Sequence, residues 1–348
     1  MRETMMGAIA VGDEDGPDAL VWGEAVRPSP AADEVLVQVV AAGVNRADVM
    51  QRQGHYPPPD GASEILGLEC SGTVVEVGAD VTGWQVGDPC VALLSGGGYA
   101  EYVAVPAGQL LPPPPGIDLV TAGGVVEVAA TVVANLSRWP GGPATGAGLT
   151  AGEVFLVHGG AGGIGTFAIQ YAKQLGATVI TTAGSADKVD HCRSFGADHV
   201  LRYDIPRDEA DDWVSRVHDL GGVDVVLDPI GAKYLADHVR LLKRGGRIVT
   251  IGLQGGRKGE LDLAGLLARN GSISAAGLRG RPVSEKSAIC ARVHDQVWPM
   301  LGSDAIRTTP TTTIPLAEAA RAHALFDSDD TVGKIVLTTA AAVGHGAA

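Results

Sequence analysis

The apolar positions change period partway along the chain. The first third carries short runs that read as strands: Val35–Val40, Ser71–Val77, and Tyr99–Val105, the last alternating with period two. Glycine-bearing turns separate them, at Gly78-Ala79-Asp80, Val86-Gly87-Asp88-Pro89 and Gly96-Gly97-Gly98. Short strands punctuated in this way predict a compact β-barrel. The run Leu111-Pro112-Pro113-Pro114-Pro115-Gly116 cannot join a ladder and reads as a surface connector.

From Gly152 the pattern alternates between strand and helix. Strands are expected at Glu153–His158, Thr178–Thr182, His199–Leu201, Val223–Asp228, Gly246–Ile251 and Ser272–Ala276. Helices are expected at Ile164–Leu175, Ala186–Phe195, Asp208–Leu220 and Tyr234–Leu242. This order predicts an α/β fold, a doubly wound parallel sheet of the Rossmann type. A helix after Arg281 and a strand over Thr331–Thr338 return the chain to the first domain. The expected division is 1–128 with 281–340, then 129–280. Residues 341–348 read as a disordered tail, and Pro140–Gly148 as a flexible excursion.

The most specific chemistry lies where the two patterns meet. Gly159-Gly160-Ala161-Gly162-Gly163-Ile164-Gly165 follows an apolar strand and opens a helix. Gly160, Gly162 and Gly165 satisfy G-x-G-x-x-G, and in that setting the turn is a pyrophosphate site. A site that prefers NAD puts an acid about 20 residues on, to bond the ribose 2′-hydroxyl. Here the chain reads Thr182-Ala183-Gly184-Ser185, with Lys188 one helical turn further and Tyr203 at the next strand end. Ser, Lys and Tyr can bond a 2′-phosphate that an acid would repel, so the expected cofactor is NADPH. Ser185 also fits as a helix N-cap.

Composition narrows the partners. Of 348 residues, 45% are apolar and 19% charged, with a formal net charge of −14. That balance disfavours nucleic acid, and no stretch is apolar enough to span a membrane. The N-terminus does not read as a signal peptide. Four scattered cysteines, without a C-x-x-C pair, argue against a disulfide framework. The expectation is a cytoplasmic protein.

Several strings carry a resemblance. They are Ala42-Gly43-Val44-Asn45-Arg46-Ala47-Asp48, Gly54-His55-Tyr56-Pro57-Pro58-Pro59, Gly67-Leu68-Glu69-Cys70-Ser71-Gly72 and Gly97-Gly98-Tyr99-Ala100-Glu101-Tyr102. Downstream, Asp228-Pro229-Ile230-Gly231, Gly245-Gly246-Arg247-Ile248 and Gly333-Lys334-Ile335-Val336-Leu337 add to it. Over nearly its whole length the chain resembles the quinone oxidoreductase branch of the medium-chain dehydrogenase/reductase superfamily. The wording around Asn45 is most similar to the p53-inducible quinone oxidoreductase subgroup. The resemblance implies a GroES-like β-barrel catalytic domain beside the Rossmann domain. Zinc enzymes of the superfamily carry cysteine where this chain has Asn45 and histidine where it has Leu68. No cysteine cluster follows Cys90, so no metal is expected.

The resemblance also implies site residues. Asn45 would face the nicotinamide and bond the acceptor carbonyl, Tyr56 would stack on or bond the acceptor, and Asp48 would orient Asn45 or tie down the fold. The cofactor set would comprise Thr131, Gly160, Gly162, Gly163, Ile164, Gly165, Gly184, Ser185, Lys188, Tyr203, Gly252, Leu253, Gln254 and Lys334. His158 reads as structural. A quinone gives a phenolate of pKa roughly 10 on reduction, which needs no Lewis acid. The expected reaction is therefore zinc-free hydride transfer from NADPH to a quinone or enone. The alternatives are an enoyl-thioester (enoyl-CoA) reductase and a non-enzymatic NADPH-binding sensor. A homodimer joined through the edge strand at Ser272–Ala276 is expected.

Overall fold

The computed structural model describes all residues except 1–3, 141, 143–145, 207–210, 329–330 and 345–348. The chain divides into two units. One comprises Met1–Ala130, Leu278–Asp304 and Thr308–Ala348; the other comprises Thr131–Gly277 and Ala305–Arg307.

The first unit opens with an antiparallel pair absent from the sequence expectation, β1 (Met5–Val11) and β2 (Leu20–Val26). Then come β3 (Glu34–Gly43), β4 (Glu69–Val77), β5 (Pro89–Leu93), β6 (Tyr102–Pro106) and the short β7 (Leu110–Leu111). Along β3, Val35, Leu36, Val37, Val39 and Val40 are all buried. That fits a central strand covered on both faces, and it explains the near-continuous apolar run. The proline run begins where β7 stops, as the missing N–H groups require.

The second unit holds β8 (Val154–Val157), β9 (Thr178–Ala183), β10 (His199–Arg202), β11 (Val223–Asp228), β12 (Leu242–Thr250) and β13 (Ser272–Ala275). All their pairings are parallel, in the order β10-β9-β8-β11-β12-β13. Numbered from β8, that order is 3-2-1-4-5-6, the doubly wound dinucleotide-binding arrangement. β12 begins four residues earlier than expected, and Gly245 (φ 79°) sits at the break in its register with β11. The expected Asp208–Leu220 helix is Trp213–Asp219, its first positions lying outside the described residues. Leu156, Ile180, Val226, Ile248 and Trp213 form the core of this unit.

The chain then returns to the first unit through the helix Val283–Gly302, β14 (Thr311–Pro315), the helix Ala319–Asp327 and β15 (Lys334–Thr338). β15 pairs antiparallel with β3, Val336 opposite Gly43, and the sheet runs β14-β15-β3-β4-β5-β7. The expected disordered tail needs correction. Residues Ala340–Gly344 form a 3₁₀ turn, and Ala341 and Ala342 pack on Val40, Ala41, Leu119 and Val336; 345–348 lie outside the described residues. In the expected excursion, residues 141 and 143–145 also lie outside them. Ala147 and Leu149, however, are buried and donate backbone hydrogen bonds to Asn135 and Leu136. All four cysteines are free and buried. No helix among the described residues is long and apolar enough to cross a membrane.

Candidate active site

Three strand ends of the first unit bring polar side chains together. β3 ends at Gly43, just before Asn45; β4 begins at Glu69; β15 begins at Lys334. Lys334 Nζ donates to Asn45 Oδ1 at 2.6 Å and pairs with Glu69 Oε1 at 2.7 Å. Asn45 Nδ2 donates to the same Glu69 oxygen at 3.0 Å, and the Glu127 backbone N–H to Glu69 Oε2 at 3.0 Å. All three side chains are buried. Gly43 leaves room for them: a Cβ there would collide with the Glu69 carboxylate and Lys334 Cε.

Asn45 also begins the helix Arg46–Arg52, and Asp48 in its first turn reaches back to it. The Asp48 carboxylate accepts from the Asn45 N–H at 2.8 Å, the Gly67 N–H at 3.1 Å and the Tyr99 hydroxyl at 3.3 Å. Complete burial nevertheless pushes Asp48 up to about 6, against the lowering by those N–H donors and Lys334. Behind Tyr99 stands His323, with Nε2 3.0 Å from the hydroxyl and Nδ1 3.1 Å from Arg52 Nη1. Arginine can only donate, so Nδ1 accepts and neutral His323 carries its proton on Nε2. The bonds then run one way, from Arg52 through His323 and Tyr99 to Asp48. Burial, with Arg52 adding to it, holds His323 down to about 3. Arg52 in turn bonds Asp327 at 2.7 Å.

The structure thus unites Asn45, Asp48 and Lys334 in one buried network. Lys334 is not a solvated lysine but half of an ion pair. Tyr56 shares no hydrogen bond with that network; it is half-buried, with its carbonyl accepting from Arg279 Nη1 at 3.1 Å. Burial raises its phenol. Sequence reading missed Tyr99, His323 and Arg52, whose partners lie hundreds of residues away. It missed Arg279 and Lys286 too, although their close spacing in a charge-poor chain was a usable signal.

A catalytic zinc does not fit this site. Asn45 and Leu68 stand where the zinc enzymes carry cysteine and histidine, and the one carboxylate beside them, Glu69, is paired with the Lys334 ammonium. Among the described residues no three His, Cys, Asp or Glu side chains converge.

In the second unit the glycine turn explains its own composition. Gly159 has φ 69°, and Gly162 caps the helix Gly163–Gln174. A Cβ on Gly160 would strike Thr181 and Cys192, and one on Gly165 would strike the Gly159 carbonyl. These glycines let the helix start lie against the strand, which leaves Gly163, Ile164 and Gly165 in its first turn with N–H groups unspent within the helix. After β9, a Cβ on Gly184 would meet the Tyr203 hydroxyl. Ser185 Oγ accepts from the Lys188 N–H at 3.3 Å, so it does cap the next helix. Lys188 is half-buried, whereas Asp187, the nearby acid, is exposed. Arg202 is paired with Asp204.

Gly252, Leu253 and Gln254 follow β12 at the carboxyl end of the sheet. The Gln254 N–H donates to Pro229 O at 3.3 Å, and Leu253 is 41% exposed. Thr131 is buried, its carbonyl accepting from Asn135 Nδ2 at 2.8 Å. His158 is buried between Thr182 at 3.0 Å and His238 at 2.8 Å.

Residues 31–115 match the family described as alcohol dehydrogenase GroES-like domain, and residues 163–290 the one described as zinc-binding dehydrogenase. The chain is 28% identical over 348 residues to a 2-haloacrylate reductase of Burkholderia sp, covering 96% of this chain and 99% of that protein. It is 32% identical over 322 residues to a phenolphthiocerol/phthiocerol polyketide synthase of Mycobacterium tuberculosis, covering 92% of this chain. It spans only 14% of that synthase's length. Among solved structures it is similar to a mycobacterial protein complexed with NADPH, with a TM-score of 0.83 and 30% identity over 96% of this chain and 100% of the other. The quinone oxidoreductase of Escherichia coli complexed with NADPH gives a TM-score of 0.81 and 28% identity over 95% and 99%. The two-unit fold, its glycine turn and these matches together make the chain a member of the medium-chain dehydrogenase/reductase superfamily of oxidoreductases.

Proposed function

We propose that the protein is an NADPH-dependent, zinc-free reductase of quinones or related conjugated carbonyls. The observation that carries this reading is the Asn45–Lys334–Glu69 cluster, an amide fixed by an ammonium where zinc relatives hold a metal. Bound NADPH supplies the hydride. The glycine turn and the first turn of its helix would take the pyrophosphate, and Ser185, Lys188 and Tyr203 the 2′-phosphate. Thr131, Gly252, Leu253 and Gln254 would border the nicotinamide half.

Reduction of a quinone or enone places negative charge on oxygen, and a hydrogen-bond donor suffices to receive it. One Asn45 N–H is spent on Glu69. The other reaches Gly43 O only at 3.4 Å, a weak bond that an acceptor oxygen can replace. Lys334, bonded to Oδ1, polarises the amide and strengthens that donor. Asp48 holds the backbone N–H of Asn45. The residue set suits delocalised acceptors better than simple aldehydes, whose alkoxide needs stronger help. Free buried thiols suit a reducing cytoplasm, and the outer edge of β13 is available for a homodimer through sheet extension.

The test is NADPH oxidation against a panel of quinones, enones and aldehydes, with NADH alongside. Turnover should favour NADPH and conjugated acceptors. Tight NADPH binding without oxidation by any acceptor refutes the proposal. Enoyl-thioester reduction is the second reading, supported by the similarity to part of a polyketide synthase; enoyl-CoA outpacing every quinone would favour it.

A further inference from the structure

Arg279 and Lys286 are the unexplained charges of the first unit. Each is 4% exposed. Arg279 Nε donates to Ser95 O at 2.8 Å and Nη1 to Tyr56 O at 3.1 Å, while Nη2 is buried with no acceptor. Lys286 Nζ donates to Ser95 Oγ at 2.5 Å and to Arg279 O at 3.4 Å. Every one of these partners is neutral. Among the described residues no carboxylate lies within ion-pair distance of either cation. The acid nearest in sequence, Glu285, is engaged by Arg281 at 2.9 Å.

Carbonyl dipoles satisfy individual N–H groups, but they do not cancel two buried positive charges. Burial lowers both groups; the Arg279 charge lowers Lys286 further, while Tyr56 and the more distant Asp48 act on Arg279 in the opposite direction without reversing the effect of burial. Counting donors, the guanidinium keeps one Nη1 proton and both Nη2 protons unspent, and the ammonium keeps one. Unspent protons on neighbouring guanidinium nitrogens are the donor set that a carboxylate or phosphate takes in bidentate fashion. The cluster touches Tyr56, whose ring centroid lies 5.4 Å from the Arg279 guanidinium carbon. Tyr56 and Ser95 are its partly exposed members, so an entering group meets the cations from their side.

We infer that Arg279 and Lys286 form a subsite for an anionic group on the acceptor, so that the substrate is a conjugated carbonyl carrying a carboxylate or a phosphate. This rests on the reductase reading above and narrows its substrate class. In a chain with a net charge of −14, such an acceptor is repelled by most of the surface and drawn to this pair of cations that no carboxylate neutralises. Reduction of the enone adds hydride from the nicotinamide to one alkene carbon and a proton from solvent to the other, leaving NADP⁺ and the saturated acid.

The experiment compares trans-3-benzoylacrylate with its methyl ester, and an enoyl-CoA with the phosphate-free enoyl-pantetheine. Wild-type protein should show kcat/KM about ten-fold or more higher for one anionic member over its neutral partner, the loss expected of a charged hydrogen bond. Rising salt should erode that preference. The carboxylate pair and the thioester pair tell which anion is used. Arg279→Gln and Lys286→Gln should remove the preference and leave the neutral partner within about two-fold, the split that a lost ground-state contact produces. Equal rates for anionic and neutral partners, or equal slowing of both by the variants, overturns the subsite while leaving the reductase reading intact. If no member of either pair is reduced while a quinone of the panel is, the subsite fails; if no acceptor at all is reduced, the reductase reading fails instead. Calorimetric titration with 3-benzoylpropionate and with a saturated acyl-CoA then decides the subsite without turnover: binding of either that is lost in Lys286→Gln supports it, and binding that the variant leaves unchanged, or no binding of either ligand to wild type, overturns it. Should Arg279→Gln lower Tm by releasing the Tyr56 and Ser95 carbonyls, Lys286→Gln carries the comparison.

Discussion

Breaking the Glu69–Lys334 pair should be costly in a way that removing both partners is not. The side chains are 0% and 6% exposed and 2.7 Å apart. Lys334→Met leaves the Glu69 carboxylate with only the Asn45 amide and the Glu127 N–H, and deprives Asn45 Oδ1 of its donor. Glu69→Gln leaves a buried ammonium with Asn45 Oδ1 and an amide oxygen. Removing one partner of a buried pair costs about 3–5 kcal/mol, whereas an apolar or neutral replacement of both is close to neutral. At roughly 2–4 °C per kcal/mol for a unit of this size, each single variant should melt roughly 6–20 °C lower. The double variant Glu69→Gln/Lys334→Met should recover about half or more of a summed loss of roughly 6–10 kcal/mol, a coupling of at least about 3 kcal/mol against the usual additivity of distant sites. Urea denaturation of the four proteins measures it. Losses below about 1 kcal/mol in both singles, adding within about 0.5 kcal/mol in the double, would refute the claim that this ion pair is a buried, mutually dependent unit.

His323→Gln should change how stability depends on acid. His323 is held down to about 3 in the fold, against 6.5 when free, so the native state binds fewer protons across that window. Stability therefore falls as pH drops below about 6.5, by up to about 5 kcal/mol in full, and the variant should lose that slope. Asp48, raised to about 6, works the other way: its buried anion is a penalty above that pH, relieved on acidification. Stability of the variant should thus hold or rise between about pH 6 and 4, and urea midpoints that fall there as steeply as in wild type would contradict it. Among the glycines, Gly165→Ala should destabilise the second unit, because its Cβ meets the Gly159 carbonyl. Gly162→Ala finds only ordinary contact at 3.5 Å and should weaken NADPH binding with Tm nearly unchanged; equal melting shifts in the two variants would count against this packing argument.

Much of this protein could be read from local pattern. The change from period two to alternating strand and helix located both kinds of unit, because burial of one face or one stripe is written in adjacent residues. The glycine turn was legible for the same reason: strand, turn and helix start are contiguous, and Gly160 and Gly165 answer to close neighbours while Gly159 takes a positive φ. Ser185 was legible as a cap because capping is local. The 3₁₀ turn at Ala340–Gly344 was not, since small residues gave no period and only packing on Val40 and Leu119 fixes it. β1 and β2 escaped because they alternate weakly and leave Met5, Val21, Trp22 and Val26 exposed.

The active-site network shows the boundary most clearly. By itself the sequence determined that Asn45 follows a strand, that Lys334 lies in the last strand, and that a dinucleotide turn lies between residues 159 and 165. It could not say that Lys334 is buried, since a lone lysine in a strand is ordinarily solvated. Only the antiparallel pairing of β15 with β3 brings residue 334 beside residues 45 and 69, and only Gly43 leaves space for the ion pair. Likewise, nothing in the sequence joins Tyr99, His323 and Arg52 to one another. Their tautomer and charge states follow from contacts spanning 224 and 271 positions. Local periodicity fixes which residues form an element, but the electrostatic state of a buried group depends on what the fold places against it.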